Sequence, residues 1–322
     1  MTPRTSTPST LEPAVRPTFY FVGVTTGSSS IRRVFPRWAE ALGLGDVDLV
    51  GIDVAPHAPT ADYRAVVEFL ATDPLSVGAL VTTHKIDLFR AAQDLFDEVD
   101  PLAALMGEVS CLSKRAGRLR ATAMDPITSG LAIDALAPPT LWEGRAREVF
   151  VMGSGGSAIA MDWHLSRPER GTARPGRVVV SDRDAGRLAA LADVHAQVAP
   201  DVPLRTVLVG SVADNDAVLA SLAPGALVVN ATGLGKDAPG SPLGPQALHP
   251  LDAFVWELNY RGDLVFLEQA RAQQADRRLT VADGWVYFVH GWTRVIAEVF
   301  DVRIPTGGPE LDRLADIAAS TR

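Results

Sequence analysis

The run Gly153-Ser154-Gly155-Gly156-Ser157-Ala158 follows the apolar residues 149–152 and leads into a helical pattern. In such a loop the first glycine allows a tight turn and the second lets backbone approach a pyrophosphate. The helix N-terminus behind it offers free N–H groups and a positive dipole end. Strand before and helix after distinguish this reading from that of a flexible loop without a ligand. The next apolar strand ends in Val180-Ser181-Asp182-Arg183-Asp184. An acid there accepts hydrogen bonds from ribose hydroxyls and repels a 2′-phosphate. Asp182 lies 26 residues beyond Gly156 because residues 167–177 lengthen the connection. Arg183 pulls the other way, since it can stack on adenine or hold a phosphate.

A second group is built for proton transfer. Of the 30 basic residues only Lys85, Lys114 and Lys236 are lysines, so a lysine marks a place where titratable chemistry is wanted as well as charge. Lys85 closes Val81-Thr82-Thr83-His84-Lys85, just past an apolar strand. Loops at the carboxyl end of a parallel sheet gather ligands, although Lys85 alone also reads as a surface lysine. Asp125, followed by Pro126, reads either as a helix N-cap or as a carboxylate beside a proton-transferring lysine. Spacing does not bring Lys85 and Asp125 together.

These groups need elements to hold them. Apolar stretches at 19–24, 47–54 and 77–81 alternate with helical patterns at 31–42 and 62–70, the rhythm of a parallel sheet with crossover helices. Residues 109–113 and 118–121 read as a hairpin around Arg115-Ala116-Gly117. A second alternating series starts at Glu148, with strands near 148–152, 177–181, 205–209, 226–230 and 254–258 separated by helices. The class is α/β: an N-terminal α/β substrate domain and a C-terminal doubly wound Rossmann-type domain. The aromatic helix 284–300 returns to the first domain. The Pro138-Pro139 break sets the boundaries at 1–17 (a Thr/Ser/Pro-rich disordered leader), 18–136 completed by 284–322, and 137–283.

The 322 residues carry a net charge of -8, which argues against a nucleic-acid or anionic-membrane surface. The single cysteine, Cys111, forms no internal disulfide and supports no cysteine-based metal site, so no metal is expected. No run reaches the roughly 18 apolar residues of a membrane helix. The reading is a cytoplasmic protein acting on a small molecule, as a monomer or homodimer.

From Phe21 to the C-terminus the chain resembles the shikimate/quinate dehydrogenase family. The matches are the Gly23 segment with its serines, Thr82-Thr83-His84-Lys85, and Asp97-Glu98-Val99-Asp100 leading to Gly107-Glu108-Val109-Ser110. They continue with Gly117-Arg118-Leu119 to Asp125, the glycine loop, Asn230-Ala231-Thr232-Gly233-Leu234-Gly235, and Glu257-Leu258-Asn259-Tyr260. The resemblance implies an NAD(P)-dependent oxidoreductase acting on a ring alcohol such as shikimate, quinate or a related cyclitol. Its catalytic pair falls on Lys85 and Asp125. Its two carboxylate-gripping serines fall on Ser29 and Ile31, with Ser28 and Ser30 at the same spacing. Either Thr82 or Thr83 takes the threonine role. Ring contacts fall on Ser110 and Ala123, the last-helix glutamine on His290, and Tyr260 lies in the substrate set. Gly153, Ser154, Gly155, Gly156, Ser157, Asp182, Arg183, Asn230, Thr232 and Gly233 are the cofactor set. The family's phosphate clamp has become Asp182-Arg183-Asp184, as in NAD-using members, so NAD is expected ahead of NADP. Two other readings share parts of the pattern: a non-catalytic NAD-binding sensor and a methylene-tetrahydrofolate dehydrogenase-like enzyme.

Overall fold

The computed structural model describes residues 5–236 and 238–321. The chain divides into two compact units, Met1–Met124 with Gly291–Arg322, and Asp125–His290.

The first unit is built on strands β1 (Thr5–Ser6), β2 (Thr18–Gly23), β3 (Asp48–Asp53), β4 (Ser76–Val81), β5 (Glu98–Val99), β6 (Cys111–Arg115) and β7 (Arg118–Thr122). Their order in the sheet is β1-β3-β2-β4-β6-β7-β5. The first four are parallel, while β6 runs antiparallel to both β4 and β7, forming the expected hairpin. Every residue of β2 is buried, as a central parallel strand covered on both faces requires. Phe19 of β2 packs against Phe35, Trp292 and Phe300 at ring-centroid distances of 5.6, 6.1 and 5.6 Å. The Trp38 indole donates to the Leu314 carbonyl at 2.8 Å. These contacts secure the C-terminal segment to this unit.

The second unit carries β8 (Glu148–Met152), β9 (Arg177–Asp182), β10 (Leu204–Leu208), β11 (Leu227–Asn230), β12 (Phe254–Glu257) and β13 (Thr280–Ala282). They pair all-parallel in the order β10-β9-β8-β11-β12-β13. The strand order reverses between β8 and β11. That is the switch point at which doubly wound sheets bind ligands. Phe150, Val179, Val228, Val255 and Phe266 form its buried core with neighbours from the flanking helices.

Two boundaries differ from the sequence reading. The helix Asp125–Leu136 belongs to the second unit, because it packs on the helix Gly156–Ser166 through a close approach at Gly130. A side chain at Gly130 would collide with the His164 ring. Arg170 clamps the same pair, bonding Asp134 at 3.0 Å and His164 at 2.7 Å. The proline break therefore marks the end of a helix rather than the edge of a unit. At the other end, the helix Trp285–Phe300 changes unit at Gly291.

The leader expected to be disordered over 1–17 is also different from Thr5 onward. Thr5 and Ser6 pair with Gly51 and Ile52 of β3, and the Ala14 amide donates to Asp73 at 2.9 Å. Backbone ladder bonds need no side-chain periodicity, so composition is silent about them. Residues 1–4 lie outside the described residues.

Candidate active site

The second unit shapes the glycine loop by close contact. Gly153 has φ +98°, and a Cβ on it would lie 2.6 Å from the Ala231 carbonyl oxygen, so only glycine fits. Gly155 faces open space. The helix Gly156–Ser166 starts here, and helix geometry leaves its first N–H groups without helical acceptors. Gly153, Ser154, Gly155, Gly156 and Ser157 thus form a tight turn that opens onto the free N–H groups of a helix N-terminus.

Asp182 has a structural task beyond the one expected of it. Its Oδ2 accepts from the Ser154 amide and hydroxyl at 2.7 and 2.8 Å, and its Oδ1 from the Asp184 amide at 3.0 Å. The carboxylate at the end of β9 fastens the glycine loop through neutral donors. Asp184 caps the helix Ala185–Val198, accepting from Gly186 and Arg187 amides at 2.8 and 3.1 Å. Arg183 is exposed between them.

Across the switch point, the Asn230 side chain is consumed by structure. Its Oδ1 accepts from the Thr232 amide and hydroxyl at 3.1 and 2.7 Å, and its Nδ2 donates to Glu257 Oε2 at 2.6 Å. Asn230 and Thr232 shape the loop that carries Gly233, whose φ is +78°. Glu257 and Asn259 stand in one of the resembling motifs, but the sequence assigned neither a role. Glu257 Oε1 accepts from the Asn259 amide and side chain at 2.8 and 2.7 Å. The sequence signals are an acid near the end of an apolar strand and the Glu257-Leu258-Asn259-Tyr260 motif, and neither reveals the bond to Asn230.

Burial drives the Glu257 carboxyl up to about 7, against the N–H donors of Asn259 and Asn230 and with help from the negative charge of Asp283. A carboxyl raised in the folded state stabilises the fold below its unfolded value, and that contribution is lost as pH rises through the folded one. The melting temperature of wild type relative to Glu257→Gln should therefore fall by several degrees between about pH 4.5 and 7, measured by calorimetry. A constant difference across that window would assign the carboxyl another state.

Asp125 opens the helix Asp125–Leu136 and is buried. Its carbonyl accepts from Ser129 Oγ at 2.6 Å, and its Oδ2 from Ser157 Oγ at 3.5 Å. The structure thus brings Asp125 to the first turn of the helix behind the glycine loop. Tyr260 packs against Phe288 and Trp285 at 4.8 and 5.4 Å between ring centroids, and His290 is buried two residues beyond Phe288.

In the first unit the expected residues gather at the carboxyl ends of β2, β3 and β4. The Thr82 amide and hydroxyl both donate to the Val22 carbonyl, at 3.0 and 3.3 Å. Thr83 is exposed, His84 is buried with Nδ1 3.2 Å from the Tyr63 hydroxyl, and Lys85 opens the helix Lys85–Ala92. Desolvation, only partly offset by the carbonyls of Gly23 and Val54, holds His84 below the usual histidine range, so it is a neutral core group. The Val109 amide donates to the Lys85 carbonyl at 3.2 Å, and Ser110 Oγ accepts from the Met124 amide at 2.6 Å. Ser110 therefore secures the turn that delivers Asp125.

The serine loop is pinned by Asp53 at the end of β3, whose Oδ1 accepts from the Thr26 amide and hydroxyl at 2.8 and 2.6 Å. Gly51 leaves the room that Thr26 and the Arg32 guanidinium occupy. Ser28 is exposed, Ser29 and Ser30 are buried, and Ile31 belongs wholly to the core. Ser28 and Ser30 are thus the pair with hydroxyls at the expected spacing. Ala123 is fully buried and offers only a methyl group. Among the described residues no cluster of His, Cys, Asp and Glu has the arrangement of a metal site. No helix among them is long and apolar enough to cross a membrane.

No family model and no curated protein matches this sequence. Solved structures do. Quinate dehydrogenase from Corynebacterium glutamicum in complex with NAD is 21% identical, with 95% of this chain and 99% of that one covered and a TM-score of 0.71. Shikimate 5-dehydrogenase from Thermus thermophilus in complex with NADP(H) and shikimate is 22% identical over 95% and 99% of the two chains, at 0.68. This chain has the shikimate and quinate dehydrogenase fold. A 5-ketofructose reductase of a Gluconobacter species, 16% identical over 94% and 97% of the two chains with a TM-score of 0.64, shares it. The fold accounts for the split first unit: the C-terminal segment from Gly291 completes the domain that begins at the N-terminus.

Proposed function

We propose that the chain is a nicotinamide-dependent dehydrogenase that interconverts a secondary alcohol and a ketone on a small polyol ring. One observation carries the reading: Asp125, the acid expected in proton transfer, bonds to Ser157 in the first turn of the helix behind the glycine loop. A carboxylate with no chemical task has no need to lie beside a phosphate cradle.

The cradle suits the cofactor, because Gly153 admits no side chain and Gly155 leaves space above it. Gly155, Gly156 and Ser157 would hold the pyrophosphate by backbone N–H groups, and Asp182 the ribose hydroxyls. A bound nicotinamide supplies the hydride acceptor or donor. Lys85 exchanges the hydroxyl proton through its Nζ, and Asp125 orients or tunes that exchange. Ser28, Ser30, Thr82, Thr83, Tyr260 and His290 are the proposed substrate contacts. Substrates are of the quinate or shikimate type, or a cyclitol without their carboxylate. The reductase that acts on 5-ketofructose supports the last class, since its name sets the fold to work on a keto sugar.

NAD is the proposed cofactor. Asp182 is held by neutral donors, so a 2′-phosphate would meet a fixed negative charge. NAD should bind at least about tenfold tighter than NADP, the scale of one lost charge contact. Calorimetric titration with each dinucleotide tests this. Equal or tighter binding of NADP removes the NAD assignment, and absence of binding by either removes the function.

A further inference from the structure

Ser157 touches a second hydroxyl besides Asp125. Its Oγ lies 3.5 Å from the Tyr287 phenolic oxygen and 3.5 Å from Asp125 Oδ2. Ser157 donates its single hydroxyl proton to Asp125 Oδ2 and has lone pairs left to accept from Tyr287. The direction of the chain is therefore Tyr287 to Ser157 to Asp125. Hydrogen bonds of this length are weak as they stand, and catalytic ones commonly tighten when substrate binds.

Tyr287 is held where it can serve. It lies in the first turn of the helix Trp285–Phe300, whose start Asp283 fixes by accepting from the Trp285 amide at 3.0 Å. A side chain on Gly284 would collide with the Leu258 carbonyl, so this glycine lets the helix begin close against the end of β12. The ring stands edge-on to Trp256 at 5.7 Å and 76°, and the Trp256 indole in turn donates to the Asp283 carbonyl at 3.2 Å. All the members of this set lie in one unit.

We infer that Tyr287 is a positioning residue, holding the Asp125 carboxylate through the Ser157 hydroxyl. The inference rests on the reading of Asp125 as the acid of proton transfer. Tyr287→Phe removes one hydroxyl and leaves the ring packing in place.

Two measurements test it. The first is the ¹³C resonance of the Asp125 carboxylate, which Tyr287→Phe and Ser157→Ala should both move, with the double variant matching Ser157→Ala alone. The second is turnover with NAD and whichever of quinate, shikimate or myo-inositol reacts fastest. There Tyr287→Phe should lower kcat about three- to tenfold, the size of one hydrogen bond, with KM and NAD affinity within about twofold of wild type. An Asp125 resonance that ignores Tyr287→Phe overturns the inference whatever the kinetics show. A kcat loss for Asp125→Asn with none for Tyr287→Phe overturns it too, and leaves the proposed function standing. If the resonance responds but Asp125→Asn keeps full turnover, the hydrogen-bond chain is upheld, the reading of Asp125 as the acid of proton transfer falls, and with it the catalytic role inferred for Tyr287.

Discussion

Lys85→Ala should lower kcat by about 10²- to 10⁴-fold, the usual worth of a positioned general acid or base. The backbone around Lys85 is tied independently of its side chain: its amide donates to the Thr82 carbonyl at 3.2 Å, and its carbonyl accepts from the Val109 amide. Alanine is the best helix former, so the substitution at the first residue of Lys85–Ala92 leaves the helix intact. The melting temperature should stay within a few degrees of wild type. NAD affinity should also hold, because the proposed cofactor contacts lie in the other unit. A loss confined to kcat is the signature of an interaction made only in the transition state. Near wild-type turnover would return Lys85 to the role of a surface lysine.

Asp125→Asn is the second large effect, and here two roles make opposite demands. A helix cap tolerates the change, since Asn and Asp cap about equally well. A partner in proton transfer, the role proposed for Asp125, does not, because that role needs the carboxylate's charge. The substitution preserves shape, and the Asn side-chain oxygen can still accept from Ser157. Turnover should fall at least about tenfold with the melting temperature nearly unchanged. Wild-type turnover by purified Asp125→Asn would leave Asp125 a cap and dissolve the proposed pair.

The parts legible in the sequence are those whose signal is local. The glycine loop announces itself because a five-residue apolar strand runs into it and a helix leaves it, and β8 has the bounds expected. The helix Ile31–Leu42 likewise follows its apolar period. Non-local demands were silent. The two residues of β1 pair with β3 through backbone alone, and β13 is three residues long, too short for any period. Glu257 looked like the end of a strand, yet its partner Asn230 is 27 residues away. Asp182 was legible as an acid after a strand, but its grip on Ser154 depends on the two strand ends lying side by side. The helix Asp125–Leu136 was assigned to the first domain because it precedes the proline break, and nothing near it in sequence reveals that Gly130 leaves room for His164.

The most direct test of the central claim is the absorbance of NADH formed from NAD when purified protein is offered quinate, shikimate and myo-inositol in turn. The account predicts steady reduction of NAD with at least one of them, and its near disappearance in Lys85→Ala. A folded wild-type protein that binds NAD and reduces none of it across the panel would contradict the account, and would make the chain a nucleotide-binding sensor on a dehydrogenase fold.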